Sequence, residues 1–241
     1  MVHHVSRAEN APSVLHALGA RRGIVCLVGA GGKKTSLYRI AREHPGRVAI
    51  STTVHIPPFD TSVVDGVRVV AFAGPIDKTE RHRGLRPQEI EEVYAGGRFD
   101  VCLVKADGAR SRLIKAPAAH EPVLPNGTGT LLAFASIRAA GKPLDAEIAH
   151  RPDRIAELLW IEPGVVLSAA HIGELLARAY GSIRANDHQR SIAVINMVDD
   201  ANLLKQARAA ARSVFEHTAG FESVVLASMA DRGIVEVHSR P

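Results

Sequence analysis

Residues 23–36 read GIVCLVGAGGKKTS, which is a short apolar run followed by a glycine-rich loop and two lysines. The run Gly23–Val28 has the composition of a buried strand, and Thr35–Glu43 has the pattern of a helix that stops at Pro45 and Gly46. Glycines let backbone N–H groups approach an anion closely. The unpaired amides and the positive dipole end of the new helix face the same point. This strand–loop–helix stretch therefore predicts a phosphate-binding loop.

The loop predicts a site for a nucleoside triphosphate, ATP or GTP, bound with Mg²⁺. Its residues Gly29, Ala30, Gly31 and Gly32 would cradle the phosphates, and the Lys33 ammonium would neutralise them. The hydroxyls of Thr35 and Ser36 follow, and Thr35 is the predicted Mg²⁺ ligand. The alternative is a glycine-rich turn without a ligand.

The loop departs from the standard pattern G-x-x-x-x-G-K-[ST] in two ways. It is one residue shorter, and Lys34 stands where a serine or threonine is expected. Two registers therefore remain open. Either Lys33 is the phosphate lysine, or Lys34 takes that role with Thr35 next to it.

Further apolar runs alternate with helical patterns along the chain. The predicted strands are 24–28, 47–51, 67–72, 100–104, 164–167, 192–195, 223–226 and 234–237, and the predicted helices are 35–43, 87–96, 152–160, 171–180 and 201–215. This alternation predicts a three-layer, P-loop NTPase-like α/β fold with a mostly parallel, doubly wound sheet. We expect one domain over residues 1–241. The segments 74–86 and 108–126 break the alternation, which indicates functional or mobile loops.

Composition narrows the class of protein. Hydrophobic residues make up 46% of the 241 residues and aromatic residues 4%, with a formal charge of +5. The basic residues are scattered and lack interleaved aromatic residues, so a nucleic-acid partner is not expected. Cys26 and Cys102 lie in apolar runs and are expected to be buried. Met1–Asn10 has no apolar signal core and no stretch reaches the roughly 18 apolar residues of a membrane span, which indicates a cytoplasmic protein without a membrane partner.

Polar residues follow the second and fourth predicted strands. Asp107 comes after Phe99–Val104, where ligands of open α/β sheets bind, and it is predicted to hold Mg²⁺. A turn-forming Asp before Gly is the alternative. Thr52 and Thr53 would line the γ-phosphate side, and His55 would add a proton donor or a metal ligand. A helix or loop cap is the alternative for these hydroxyls.

The predicted catalytic residues are Lys33, Asp107 and Thr53. A polar loop after Asp107 is predicted to face an anionic second substrate or a partner, because cations suit developing phosphoryl charge; its candidate residues are Arg110, Lys115, His120 and Glu121. An enzyme of this kind would be an NTP hydrolase or a phosphoryl transferase.

Asn196 and Asp199 follow another predicted strand. At this spacing an aspartate can accept hydrogen bonds from the N1 and N2 hydrogens of guanine, which gives guanine a weak preference over adenine. Asp199 as the cap of the next helix is an equally good interpretation, with Asp200 as the other candidate cap.

Four stretches together resemble the YqeC-type family, accessory proteins proposed for selenium-dependent molybdenum hydroxylases. They are Val28–Lys33, Ser51–Pro57, Ala106–Arg110 and Leu113–Pro125. The resemblance covers about the first half of the chain, and it implies a P-loop NTPase fold and a role in selenium or molybdenum cofactor maturation. It also implies a molybdenum hydroxylase or its maturation factors as partners.

The chain departs from this family at two positions near the predicted phosphates. Lys34 replaces a threonine and Lys105 replaces a glutamate, which raises the local charge by about +3. These replacements favour attraction of a triphosphate and weaken Mg²⁺ coordination. We therefore predict good nucleotide binding with poor turnover, and a nucleotide-gated adaptor or a non-hydrolysing scaffold as the alternative to an enzyme.

Overall fold

A computed structural model describes residues 13–240, which contain ten strands. Eight of them form a central sheet. The strands are β1 (Gly23–Gly29), β2 (Val48–Thr52), β3 (Val69–Phe72), β4 (Val101–Lys105), β5 (Ile114–Lys115), β6 (Thr128–Ser136), β7 (Ala149–His150), β8 (Arg190–Asn196), β9 (Ser223–Ser228) and β10 (Gly233–Ser239). The large sheet has the order β10-β9-β8-β6-β1-β4-β2-β3, and β5 pairs with β7 in a two-stranded sheet. Only β10 is antiparallel to its neighbour in the large sheet.

Helices cover both faces of this sheet. They are α1 (Val14–Ala17), α2 (Lys33–Glu43), α3 (Pro87–Gly96), α4 (Pro152–Leu159), α5 (Ala169–Tyr180) and α6 (Ala201–His217), with a short 3₁₀ turn at Ile137–Ala139. No helix within residues 13–240 is long and apolar enough to cross a lipid bilayer.

The side chains of β1 alternate between two hydrophobic clusters, as the pleat of a strand requires. Ile24, Cys26 and Val28 join a cluster with helices α3 to α6 on one face, and Val25 and Leu27 join a cluster with α1 and α2 on the other. Both faces of β1 are therefore buried, which explains its unbroken apolar sequence. The three-layer α/β fold with a mostly parallel sheet is confirmed.

Two assignments in the sheet differ from the sequence prediction. Residues 164–167 form no strand, and Val166 makes only an isolated bridge to Pro143. The central strand β6 was not predicted, although it lies beside β1. Its sequence TGTLLAFAS is an alanine-containing apolar run, and such a run does not distinguish a buried strand from a helix segment.

Other local predictions agree with the structure. Cys26 and Cys102 are buried in adjacent strands, and burial raises the pKa of the Cys26 thiol to about 12. Helix α3 begins at Pro87 and helix α5 has Gly181 as its C-cap. The N-terminal interpretation of Met1–Asn10 lies outside the described residues.

Candidate functional site

The glycine-rich loop connects the end of β1 to the start of α2. Gly31 and Gly32 have φ angles of 82° and 106°, a left-handed conformation that glycine adopts without strain. A Cβ at Gly31 would collide with the backbone of Ser136 and Leu113, and one at Gly32 would collide with the side-chain amide of Asn196. Glycine is therefore required at both positions by backbone conformation and by close packing.

The amides of the loop fall into two groups. Three are hydrogen-bonded inside the protein: those of Gly29, Ala30 and Gly31, to Asp107 Oδ2 at 2.8 Å, Phe134 O at 3.0 Å and Arg112 O at 3.0 Å. Four have no acceptor among residues 13–240: those of Gly32, Lys33, Lys34 and Thr35. The free donors thus begin at Gly32 and continue into the first turn of α2, where helix geometry leaves amides unpaired. They are available to an anion.

Lys33 folds back beneath the loop. Its side chain is buried, its ammonium lies 2.8 Å from Asp107 Oδ1, and it also contacts the carbonyl oxygen of Gly29. Asp107 Oδ1 accepts no hydrogen bond of good geometry, so the contact with Lys33 is an ion pair. Burial lowers the pKa of Lys33, and the Asp107 carboxylate opposes that shift.

Asp107 also belongs to a largely buried ionic network with Lys115, Glu121 and Arg151. Lys115 Nζ lies 2.9 Å from Asp107 Oδ2 and 3.0 Å from Glu121 Oε2, and it donates to Gly108 O at 2.6 Å. Arg151 lies 2.8 Å from the same Glu121 oxygen. Burial alone would raise the pKa of Glu121, but the Ala118 amide and the Lys115 and Arg151 charges lower it to about 2.

Counting charges in this network identifies one surplus cation. The carboxylates of Asp107 and Glu121 are balanced by Lys115 and Arg151, so Lys33 adds a third positive charge to two negative ones. A buried charge without a partner of opposite sign raises the free energy of the folded protein. Lys33 is therefore the member that can leave for an anion while the other four stay paired.

The amides and Lys33 border a cavity of about 740 Å³. Its lining includes seven basic side chains: Lys33, Lys34, His55, Arg81, Lys105, Arg110 and Arg112. Among the residues that the structure describes, no Asp or Glu lines it. Burial, with the nearby Lys33 charge, lowers the pKa of Lys105 to about 7. The cavity is thus suited to a polyanion.

Several predicted residues lie at this cavity. Ala30, Gly31, Gly32, Lys33, Lys34, Thr35, His55 and Arg110 line it. His55 is exposed and lies 3.1 Å from Asp77. Arg81 was not predicted, and the only signal for it in the sequence was its position in the irregular segment 74–86.

Other predicted residues are engaged elsewhere. The hydroxyls of Thr52, Thr53 and Ser36 donate to the carbonyl oxygens of Lys105, Val123 and Gly32 at 3.0 Å each. None of the three lines the cavity. Their hydrogen bonds to the backbone explain why hydroxyls occur at these positions.

The prediction that Lys115 and Glu121 face a second substrate or a partner requires correction, because Lys115 has a fully buried side chain within the ionic network and Glu121 is bound to it. His120 is exposed and does not line the cavity, so its contact with a partner stays a prediction. Lys115 is instead a buried counter-ion of Asp107.

Asn196, the last residue of β8, connects this strand to the glycine-rich loop. The buried Asn196 amide donates to Gly31 O at 2.8 Å and accepts from Met229 N at 3.1 Å. Asp200 caps α6 by accepting from Leu203 N, which excludes the capping alternative for Asp199.

Comparison with known proteins places this site in a family. Residues 25–153 match the profile of the YqeC protein family, a span of more than half of the chain that contains the loop and the ionic network. The chain is also similar to "Uncharacterized protein YqeC" of Escherichia coli (strain K12), with 27% identity over 187 residues that cover 69% of this chain and 73% of the relative. The resemblance drawn from the sequence motifs is confirmed, and the chain belongs to the YqeC family.

Proposed function

We propose that the protein binds a nucleoside triphosphate with its phosphates on the loop between β1 and α2. Within the part of the chain that the structure describes, one combination carries this proposal: four unpaired amides and a surplus buried lysine border a cavity that no carboxylate lines. Each charge-assisted hydrogen bond to a phosphate oxygen is stronger than a neutral one. The first turn of α2, the Lys33 ammonium and the basic residues that line the cavity all favour negative charge at the same place.

Binding would proceed by an exchange of partners at Lys33. In the free protein the ammonium is held by Asp107 and by the carbonyl of Gly29. A phosphate group at the loop offers more negative charge, while Asp107 keeps Lys115 and the Gly29 amide as partners. The exchange therefore leaves no unpaired carboxylate in the protein interior.

The donor set of the cavity does not fit a Mg²⁺ ion bound directly by a carboxylate. Thr35 lines the cavity, but both oxygens of Asp107 face lysine ammonium groups. No group of three or more His, Cys, Asp or Glu side chains suited to a metal occurs in residues 13–240. Mg²⁺ prefers oxygen ligands and retains water. We therefore assign neutralisation of the phosphate charge to the basic side chains that line the cavity.

A thermal-shift titration with ATP, GTP and CTP tests this proposal, because a ligand that binds the folded state raises the melting temperature. We expect at least one triphosphate to raise it, and to do so equally in Mg²⁺ and in EDTA. If the melting temperature rose only when Mg²⁺ was present, the protein's own cations would not be what neutralises the phosphates. No rise with any triphosphate would contradict nucleotide binding itself.

The same lining favours a second candidate, a nucleotide-gated adaptor that hydrolyses slowly. Lys34 and Lys105 line the cavity at the positions where the family resemblance implies a threonine and a glutamate. We propose that its partner is a molybdenum hydroxylase or a maturation factor of that enzyme, the role in selenium or molybdenum cofactor maturation that the resemblance implies.

Single-turnover assays with and without a purified, cofactor-free molybdenum hydroxylase separate the adaptor from the enzyme. An adaptor should form little product alone and should bind the hydroxylase more tightly with nucleotide than without it. Rapid product formation by the protein alone would identify a hydrolase, and equal hydroxylase binding in both states would remove the gating proposal.

A further inference from the structure

We infer that Asp199 selects guanine as the base of the bound nucleotide; this inference rests on the proposed function. Asp199 follows β8, and its carboxylate is 30% exposed. Asp200 caps the next helix, so the Asp199 side chain has no capping role. Its two oxygens instead accept from side chains, Oδ1 from Ser228 Oγ and Oδ2 from the Arg138 guanidinium, both at 2.5 Å.

The contact with Arg138 indicates what chemistry the carboxylate recognises. An arginine guanidinium presents neighbouring N–H donors that match a carboxylate. The N1–H and N2 amino groups of guanine present two neighbouring donors in a similar way, whereas adenine presents an acceptor at N1. The side chain of Arg138 is 53% exposed, so it can turn into solvent and free Oδ2. Guanine would then take the place of the guanidinium.

Ser228 fixes the carboxylate for this contact. Its hydroxyl lies at the end of β9 and is buried, so Asp199 Oδ1 is held between two adjacent strands. A carboxylate oxygen can accept more than one hydrogen bond. The Ser228 hydroxyl therefore orients the Asp199 carboxylate without blocking it.

The position of Asp199 is also fixed relative to the phosphate loop. The side-chain amide of Asn196 donates to Gly31 O at 2.8 Å, so the end of β8 is hydrogen-bonded to the loop. Met197, between Asn196 and Asp199, lines the same cavity as the loop and receives a hydrogen bond from Ser136 Oγ at 3.0 Å. Its thioether is an apolar, polarisable group at the cavity, two residues before Asp199, and aromatic rings pack favourably against such a group.

Titration of the full chain with GTP, ATP and xanthosine triphosphate tests this inference. Wild-type protein should bind GTP about tenfold or more tightly than ATP, since one good bidentate pair discriminates to that extent. In Asp199→Asn, GTP affinity should fall by about tenfold and xanthosine triphosphate affinity should rise. Xanthine has a carbonyl oxygen in place of the N2 amino group, and the new amide can donate to it.

Asp200→Asn is the matched control, because asparagine is also a good N-cap and the change in charge is the same. It should leave the order of the three affinities unchanged. Equal binding of GTP and ATP by the wild type, or no gain for xanthosine triphosphate in Asp199→Asn, would overturn the assignment of Asp199 while leaving nucleotide binding intact. Binding of none of the three would instead contradict the proposed function.

Discussion

Replacing Lys33 by alanine is expected to weaken triphosphate binding by about 2–4 kcal/mol, because charge-assisted hydrogen bonds to phosphate are lost. The variant should remain folded, since Asp107 keeps Lys115 and the Gly29 amide as partners. Isothermal titration calorimetry with the triphosphate of highest affinity measures the change directly.

Lys34→Ala is the control for this result and separates the two registers of the loop. Lys34 is exposed, lines the cavity and lies 5.6 Å from the centre of the Tyr38 ring. An exposed lysine contributes less than a buried one because water screens its charge. We expect a smaller loss of affinity than in Lys33→Ala. A larger loss in Lys34→Ala would make Lys34 the phosphate lysine and contradict the assignment of Lys33.

Replacing Lys115 by methionine is expected to lower the free energy of unfolding by about 3–5 kcal/mol, as removal of one partner from a buried ion pair does. The variant leaves Asp107 and Glu121 without the ammonium that bridges them. Lys33 would then be the ammonium that pairs with the Asp107 carboxylate. It would leave Asp107 for a phosphate less readily, so nucleotide affinity should fall as well. Urea denaturation measures the loss of stability, and calorimetry measures the loss of affinity.

Lys142→Met provides the matched control for Lys115→Met, because Lys142 is exposed. It should change stability little. Adding Glu121→Gln to Lys115→Met should restore part of the lost stability by removing one unpaired carboxylate. If Lys115→Met were as stable as the Lys142 control, the buried network would not be the support of Asp107 that we describe.

The sequence predicted the parts of the molecule that depend on local pattern. The loop, the strand β1 that precedes it and the helix starts at Pro87 and Asp200 follow from glycine, apolar runs and capping residues. Strand β6 was missed because its run of Leu, Ala and Phe has no distinguishing period. Its position beside β1 depends on contacts between residues about a hundred positions apart.

The site was less predictable than the fold, because pairing in three dimensions decides the role of each charged residue. The stretch Leu113–Pro125 indicated a functional role for Lys115, but only the structure reveals that its ammonium is buried against Asp107. Thr52 and Thr53 were placed at the correct sheet edge, and their hydroxyls bind backbone carbonyls there. Side-chain direction at a strand end is set by the adjacent loops, which local pattern does not specify.

A structure of the protein with a non-hydrolysable triphosphate would test the central claim most directly. We predict phosphate oxygens within hydrogen-bond distance of the amides of Gly32 to Thr35, with Lys33 Nζ moved from Asp107 to a phosphate. Lys115 should still contact Asp107. Phosphates bound away from the loop, or a Lys33 that stays on Asp107 with nucleotide present, would contradict the account.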